Sequence, residues 1–325
     1  MKKLIFKNLE DQPNKKVLHY LNQHKNGKKA LFIFDHGLGD LVDFLSLYET
    51  VKKEYPNWNF KIGYHHSLDY KCLHKDMYPL QGEDLNPYYI PPIGCSILLH
   101  STVEQKYNFD NLLEKFNYIF IINYPEIPDN IKNNISNNSK VKYTKLDLCK
   151  VIEFGYQDNK ELLTYVPPVN KSIEKNEQKV IFHVGGLTDK QLKNPDIEIQ
   201  EIIWGEIIEA GFTPVDVHVN STTNLTSSHL DIPSWMDEKL THRNRNTPLE
   251  KILDEIYSSR YLIGICSDPL VCGTKLLGVE NCLGLQYGIN LKCYFPNELN
   301  IVDTKSYKRG TVKEWLTIKK EEGNN

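Results

Sequence analysis

From residue 30 the chain reads Ala-Leu-Phe-Ile-Phe-Asp-His-Gly-Leu-Gly-Asp, an unbroken apolar run that gives way to glycine and acid. Such a run, short and without alternation, marks a strand covered on both faces, the habit of a parallel sheet. Beyond it Leu41, Phe44, Leu45, Tyr48 and Val51 recur at helical spacing, Lys52 and Lys53 fall in the last turn, and Pro56 blocks continuation. The pattern predicts strand, loop and helix, with the helix starting at or beside Asp40 and with Gly37 and Gly39 allowing tight turns. Ligands of open α/β sheets bind outside the carboxyl ends of the strands, so His36, Gly37, Leu38, Gly39 and Asp40 are expected to line a cleft.

The same rhythm continues. Strands are expected at Asn59–Tyr64, Ser96–His100 and Tyr118–Asn123, a long surface loop between Pro79 and Pro92, and an exposed loop or short polar helix over 129–140. At Tyr165–Lys179 tandem prolines lead into a polar run without period, which sets a boundary between domains 1–168 and 169–325. Val180–Val184 then reads as a strand, followed by Gly185, Gly186 and a polar loop through Asn194. Pro195 suits a first helical turn, Ile199, Ile202, Ile203, Ile207 and Ala210 form its stripe, and Gly211 stands where a helix ends. Thr213–Val219 supplies a further strand. Thr247-Pro-Leu-Glu250 matches a capping box ahead of Leu249, Ile252, Leu253, Ile256 and Tyr257. Tyr261–Cys266, a loop at Ser267-Asp268-Pro269, a short helix through Leu277 and a strand at Asn281–Tyr287 complete the pattern. Repeated strand, loop and helix units in both halves predict an α/β protein of two Rossmann-like domains facing each other across a cleft.

Composition narrows the function classes. The 325 residues are 40% hydrophobic and 25% charged, ordinary values for a globular chain, and their length favours two domains. A formal net charge of −3 disfavours a general nucleic-acid binder. Lys2, Lys3, Lys7, Lys15, Lys16, Lys25, Lys28 and Lys29 make the N-terminus basic, which fits a solvated face or contact with an anionic membrane surface. With no apolar run of signal-peptide or membrane-span length, the expected location is the cytoplasm, with peripheral contact at the inner face of the membrane. The seven cysteines contain no Cys-x-x-Cys pair, so reduced thiols are expected and a metal site is not.

Three segments in order carry a family resemblance: Gly37-Leu-Gly-Asp40 with its apolar helix, His183-Val-Gly-Gly-Leu-Thr-Asp-Lys190, and Ser258 to Val279. Together they resemble glycosyltransferase family 9, the ADP-heptose:lipopolysaccharide heptosyltransferase-like enzymes of the GT-B fold. The resemblance implies Asp40 as catalytic base and Thr188 and Lys190 as donor-phosphate contacts. It also implies a donor loop at Gly185 and Gly186, and Ser267 and Asp268 near the donor. It departs from the family where the late motif, normally Asp, Ser or Thr, Gly, two variable residues and His, reads Ser267-Asp268-Pro269-Leu270-Val271-Cys272; either register loses the histidine.

The expected activity is inverting, metal-independent transfer of a sugar, heptose being the family's example, from a nucleoside-diphosphate donor to a glycan or glycolipid hydroxyl. Such a reaction needs one base for the acceptor proton and fixed donors for the departing diphosphate, and no further cofactor. Taken alone, Asp40 fits a helix cap as well as a base, and Asp35 and Asp43 compete with it. His183 at a strand end reads first as a core histidine. Three alternatives stand beside this reading: a catalytically degenerate nucleotide-binding protein, a transferase acting on modified nucleic-acid bases or protein, and a nicotinamide oxidoreductase. The last is weakened because Gly37-x-Gly39 lacks the third glycine of the dinucleotide fingerprint.

Overall fold

The structure, a computed structural model, describes residues 3–4, 17–24, 26–34, 38–64, 70–86, 107–122, 164–185, 194–217, 248–293 and 295–322. The chain divides into two compact units, Met1–Tyr165 and Val166–Asn325.

The first unit runs β1 (Lys3–Leu4), α1 (Val17–Gln23), β2 (Lys29–Phe34), α2 (Leu38–Glu54), β3 (Asn59–Tyr64), β4 (Met77–Pro79), α3 (Phe109–Lys115) and β5 (Tyr118–Ile122). Its sheet has the order β1-β5-β2-β3-β4 with every pairing parallel. Ala30, Leu31, Phe32 and Ile33 are fully buried, as a central strand covered on both faces requires. Alternation along β2 splits these side chains between two packings. Phe32 stacks against Phe120 at 5.3 Å between ring centroids, meets Phe60 at 5.4 Å, and receives the edges of Phe44 and Tyr48 from α2. Leu31 and Ile33 join Ile119, Leu80, Tyr107, Leu112 and Phe116 on the opposite side, under α3.

The pattern of residues 41–54 forms a helix, but one that starts at Leu38, so Gly39 lies inside the helix rather than in a turn. The span from Pro79 is not a plain surface loop: Pro79 ends β4, Leu80 and Asp84 are buried, and Leu85 bridges Tyr107. A three-residue edge strand is too short for alternation to reveal. Helix α3 was not expected either; Asn108 caps it by accepting from the Asn111 amide at 3.3 Å. The strand expected at Ser96–His100 and the segment 129–140 lie outside the described residues.

The second unit runs β6 (Asn176–His183), α4 (Ile197–Glu209), β7 (Thr213–Val215), α5 (Leu249–Tyr257), β8 (Ser259–Gly264), α6 (Asp268–Leu276), β9 (Cys282–Gln286), β10 (Asn300–Asp303) and α7 (Thr311–Glu322). Its sheet has the order β10-β9-β8-β6-β7, again wholly parallel. Phe182, Tyr261, Ile263, Leu283 and Leu285 share one core with Trp204 and Ile207 of α4 and Val312 and Leu316 of α7. Helix α5 begins at Leu249 with Pro248 in the cap position; Thr247 of the expected capping box lies outside the described residues. Likewise Pro195 precedes α4, whose cap is Asp196. Strand β6 starts earlier than its apolar run, because its exposed first residues pair with Ser259 ahead of a bulge between Asn176 and Val180. β10 and α7 were not expected, although Val312, Trp315 and Leu316 show helical spacing.

One buried carboxylate fastens α7. Glu206 of α4 is 2% exposed and accepts from the Gly310 amide at 2.6 Å, the Val312 amide at 3.0 Å, the Lys313 amide at 3.1 Å and the Tyr307 hydroxyl at 2.9 Å. It thus supplies from a neighbouring helix an acceptor for the unpaired amides of the first turn of α7 and adds its charge to that of Glu314 there. Burial, and then the adjoining Glu206 carboxylate, push the Tyr307 phenol up. Replacing Glu206 by alanine strands those donors. Glu206→Ala is expected to destabilise the second unit by about 3 kcal/mol, read as a lowered urea midpoint by tryptophan fluorescence. Glu209→Ala, which removes only the exposed ion pair to Lys313 at 3.0 Å, is expected to stay within about 0.5 kcal/mol.

Candidate functional site

Both sheets have a strand order that reverses at an interior point. In the first unit β2 lies between β3 and β5, and the chain leaves the carboxyl end of β2 to enter α2. Parallel sheets bind ligands at such switch points, because the loops there diverge and leave a crevice. Asp40 is in the first turn of α2, two residues inside the helix, so it is not the cap. The positive helix end favours a carboxylate there. Asp40 is half-buried, whereas its competitor Asp43, one turn on, is 3% exposed. Asp40 is thus the more accessible of the two carboxyls. Leu38 and Gly39 are buried and seat the helix; His36, Gly37 and Asp35 lie outside the described residues.

Helix α2 is held by a buried cluster at its other end. Asp76 pairs with Lys52, with Lys61 at 3.1 Å and with the Tyr48 hydroxyl at 3.0 Å. Tyr48 also donates to the Phe60 carbonyl at 3.2 Å, and His74 reaches Glu49 at 2.7 Å. Burial alone would push the Asp76 carboxyl up; the hydrogen bonds from Lys52, Lys61 and Tyr48 and the Lys52 charge outweigh it and hold the group at about 2. Burial, first among its causes, keeps the His74 imidazole below its ordinary value despite Glu49 and Asp76.

In the second unit the reversal lies between β6 and β8. His183 at the end of β6 is in register with Gly264 at the end of β8, and its carbonyl accepts the Ile265 amide at 3.1 Å. The approach is close: a Cβ on Gly264 would stand 3.3 Å from that carbonyl oxygen. Gly185 and the Ser267–Asp268 pair are therefore brought to one rim, Gly185 half-buried just past β6 and Ser267 capping α6 with extended backbone. Gly186, Thr188 and Lys190 lie outside the described residues. The start of α6 is poorly suited to phosphate, since Pro269 lacks an N–H and Asp268 places a negative charge in the first turn. The Ser267 hydroxyl donates to the Ile265 carbonyl at 3.3 Å. Cys272, one of the two places for the family's histidine, is a thiol outside any disulfide, 1% exposed.

Two rim features escaped sequence reasoning. Asp216, directly after β7, meets His183 Nδ1 at 3.4 Å, with side-chain exposures of 3% and 6%. The sequence places Asp216 inside an expected strand Thr213–Val219, but the observed strand ends at Val215. Tyr287, after β9, donates to Asp196 at 3.4 Å, and the Lys305 ammonium lies 5.0 Å from its ring centroid. Among the described residues no group of three or more His, Cys, Asp or Glu side chains is arranged to hold a metal ion, and no helix is long and apolar enough to cross a membrane.

No family model matches the chain, and no curated protein matches it by sequence. Solved structures do. Over 90% of this chain and 99% of theirs, the coordinates of the Escherichia coli ADP-heptose lps heptosyltransferase II match with a TM-score of 0.59 at 12% identity. The family 9 glycosyl transferase from Veillonella parvula matches over 91% and 96%, TM-score 0.53, at 11% identity. The iron-containing dodecameric glycosyltransferase TibC of enterotoxigenic E. coli matches over 88% of this chain, TM-score 0.52, at 9% identity, and the chain spans 64% of TibC's length. The fold is that of the GT-B heptosyltransferases.

Because the Asp76 carboxyl is lowered in the native state, its stabilisation is complete above about pH 4 and is lost as pH falls through about 2. Acid titration of the folded protein is expected to show a loss of about 2 kcal/mol across that window, and Asp76→Asn is expected to flatten it, as checked by urea midpoints at each pH.

Proposed function

We propose that the protein is an inverting, metal-independent glycosyltransferase that moves a sugar from a nucleoside-diphosphate donor to a hydroxyl of a glycan or glycolipid, with Asp40 as base. The observation that carries the reading is the shared fold over nine-tenths of the chain, together with a half-buried carboxylate at the switch point of the first sheet. Heptosyltransferase II takes its name from an ADP-heptose donor, which makes an ADP-sugar the first donor to test.

In this mechanism the acceptor O–H gives its proton to the Asp40 carboxylate as its oxygen bonds to the anomeric carbon. The bond from that carbon to the diphosphate breaks on the opposite face, and its electron pair leaves with the phosphate oxygen. The departing charge needs fixed donors. Backbone amides around Gly185 and Gly186, the Thr188 hydroxyl and the Lys190 ammonium are the groups assigned to it, since the start of α6 offers a carboxylate and a proline instead. Ser267 and Asp268 are accordingly assigned to hydroxyls of the donor, which a carboxylate can accept from without repulsion.

A second reading, a degenerate protein that binds the nucleotide without turnover, is favoured by the buried Cys272 in the place of the family's histidine. One experiment separates them. Transfer from ADP-sugars is expected for the wild type, with Asp40→Asn lowering it at least about 100-fold while the rise in melting temperature caused by ADP persists. Lys190→Ala is expected to shrink that rise. Nucleotide stabilisation with no turnover on any glycan acceptor would establish the degenerate reading.

A further inference from the structure

The first sheet carries a polar groove at the end opposite Asp40. Of about 520 Å³, it opens at the amino ends of β2, β3 and β5, lined by Lys28, Lys29, Asn26, Asn59, Glu114 and Asn117. Strand β2 is six residues long, so the groove lies roughly 20 Å from the carboxyl-end rim and cannot share one small ligand with it.

Its walls are fixed by the backbone. The Lys29 amide donates to Asn117 Oδ1 at 3.0 Å, the Asn117 amide returns to the Lys29 carbonyl at 2.9 Å, and the Asn59 amide donates to the Lys28 carbonyl at 2.9 Å. Gly27 closes the turn at φ 74°, pressed so closely on Asn57 that a Cβ would fall 1.8 Å from its carbonyl oxygen. Lys115 is already committed to Asp84 at 2.6 Å and forms a neutral part of the wall. Among the described residues neither Lys28 nor Lys29 has an ion-pair partner, and neither does Glu114. The groove therefore offers two unpaired ammonium groups, one carboxylate and several side-chain amides, all exposed, in a volume within the range of small-ligand sites.

That set matches one chemistry. Two ammonium groups suit a phosphate, while Asn26 and Asn59 amides and the Glu114 carboxylate suit the hydroxyls of an attached sugar. We infer that this groove is a second binding site, for a phosphorylated sugar, distinct from the donor rim and independent of the reading of Asp40. The same phosphorylated chemistry can come free in solution or attached to lipid, and a lipid source would bring Lys28 and Lys29 to a membrane surface.

Calorimetric titration of the full chain with glucose 6-phosphate, glucose and inorganic phosphate tests the site, beside cosedimentation with phosphatidylcholine vesicles with and without phosphatidylinositol 4-phosphate. Glucose 6-phosphate is expected to bind more tightly than either glucose or inorganic phosphate, and binding to the phosphoinositide vesicles alone assigns the lipid source. Lys28→Glu with Lys29→Glu is expected to weaken binding at least tenfold, and Asn59→Ala severalfold, with unchanged circular dichroism and an unchanged melting-temperature response to ADP. Failure of both glucose 6-phosphate and the phosphoinositide vesicles to bind overturns the proposal. So does equal binding by the double variant, or an affinity for inorganic phosphate equal to that for the sugar phosphate.

Discussion

Parallel pairing is the constraint from which the rest follows. Every pairing inside both sheets is parallel, so each strand must be reached by a crossover that covers a face, and both faces of the central strands are buried. The same rule gathers all carboxyl ends along one edge and all amino ends along the other. Where the strand order reverses, neighbouring loops part, and this is where Asp40 in one unit and Gly185, Ser267 and Asp268 in the other are found. The sheets hold those ends in place.

What keeps the ends in place is polar rather than apolar. Phe32 and its aromatic neighbours provide burial, which has no direction, but Asp76 pins α2 against β3 and Glu206 pins α7 against α4. A buried carboxylate that is fully hydrogen-bonded selects one arrangement, because any other leaves it or its partners desolvated and unpaired. The two units use the device in the same way on different elements.

Elements with a strong period were legible in the sequence. The run at Leu31–Phe34, the stripes of α2, α4 and α5, and the strand at Cys282–Gln286 all follow from spacing of apolar residues. Ends were less legible: α2 starts ahead of Asp40, and β6 reaches back into residues whose exposure hides their pairing with β8. Short or edge elements such as β4 and β10 carry too few residues for a period to form. At the site, the loop expected at Ser267-Asp268-Pro269 is already helix from Asp268, with Ser267 as its cap, because proline is tolerated in a first helical turn. Asp216 could not be joined to His183, since that contact depends on β7 lying beside β6, a matter of strand order that sequence spacing does not encode.

Helix α2 is buried along nearly its whole length, on more than the one face that an amphipathic helix would hide. A rod so enclosed behaves as a fixed strut, and a change of volume along it is felt by the core before it is felt by any ligand. Divergence in what such a protein accepts must then accumulate in the loops around the strut, leaving the helix as the part of the lobe least free to drift.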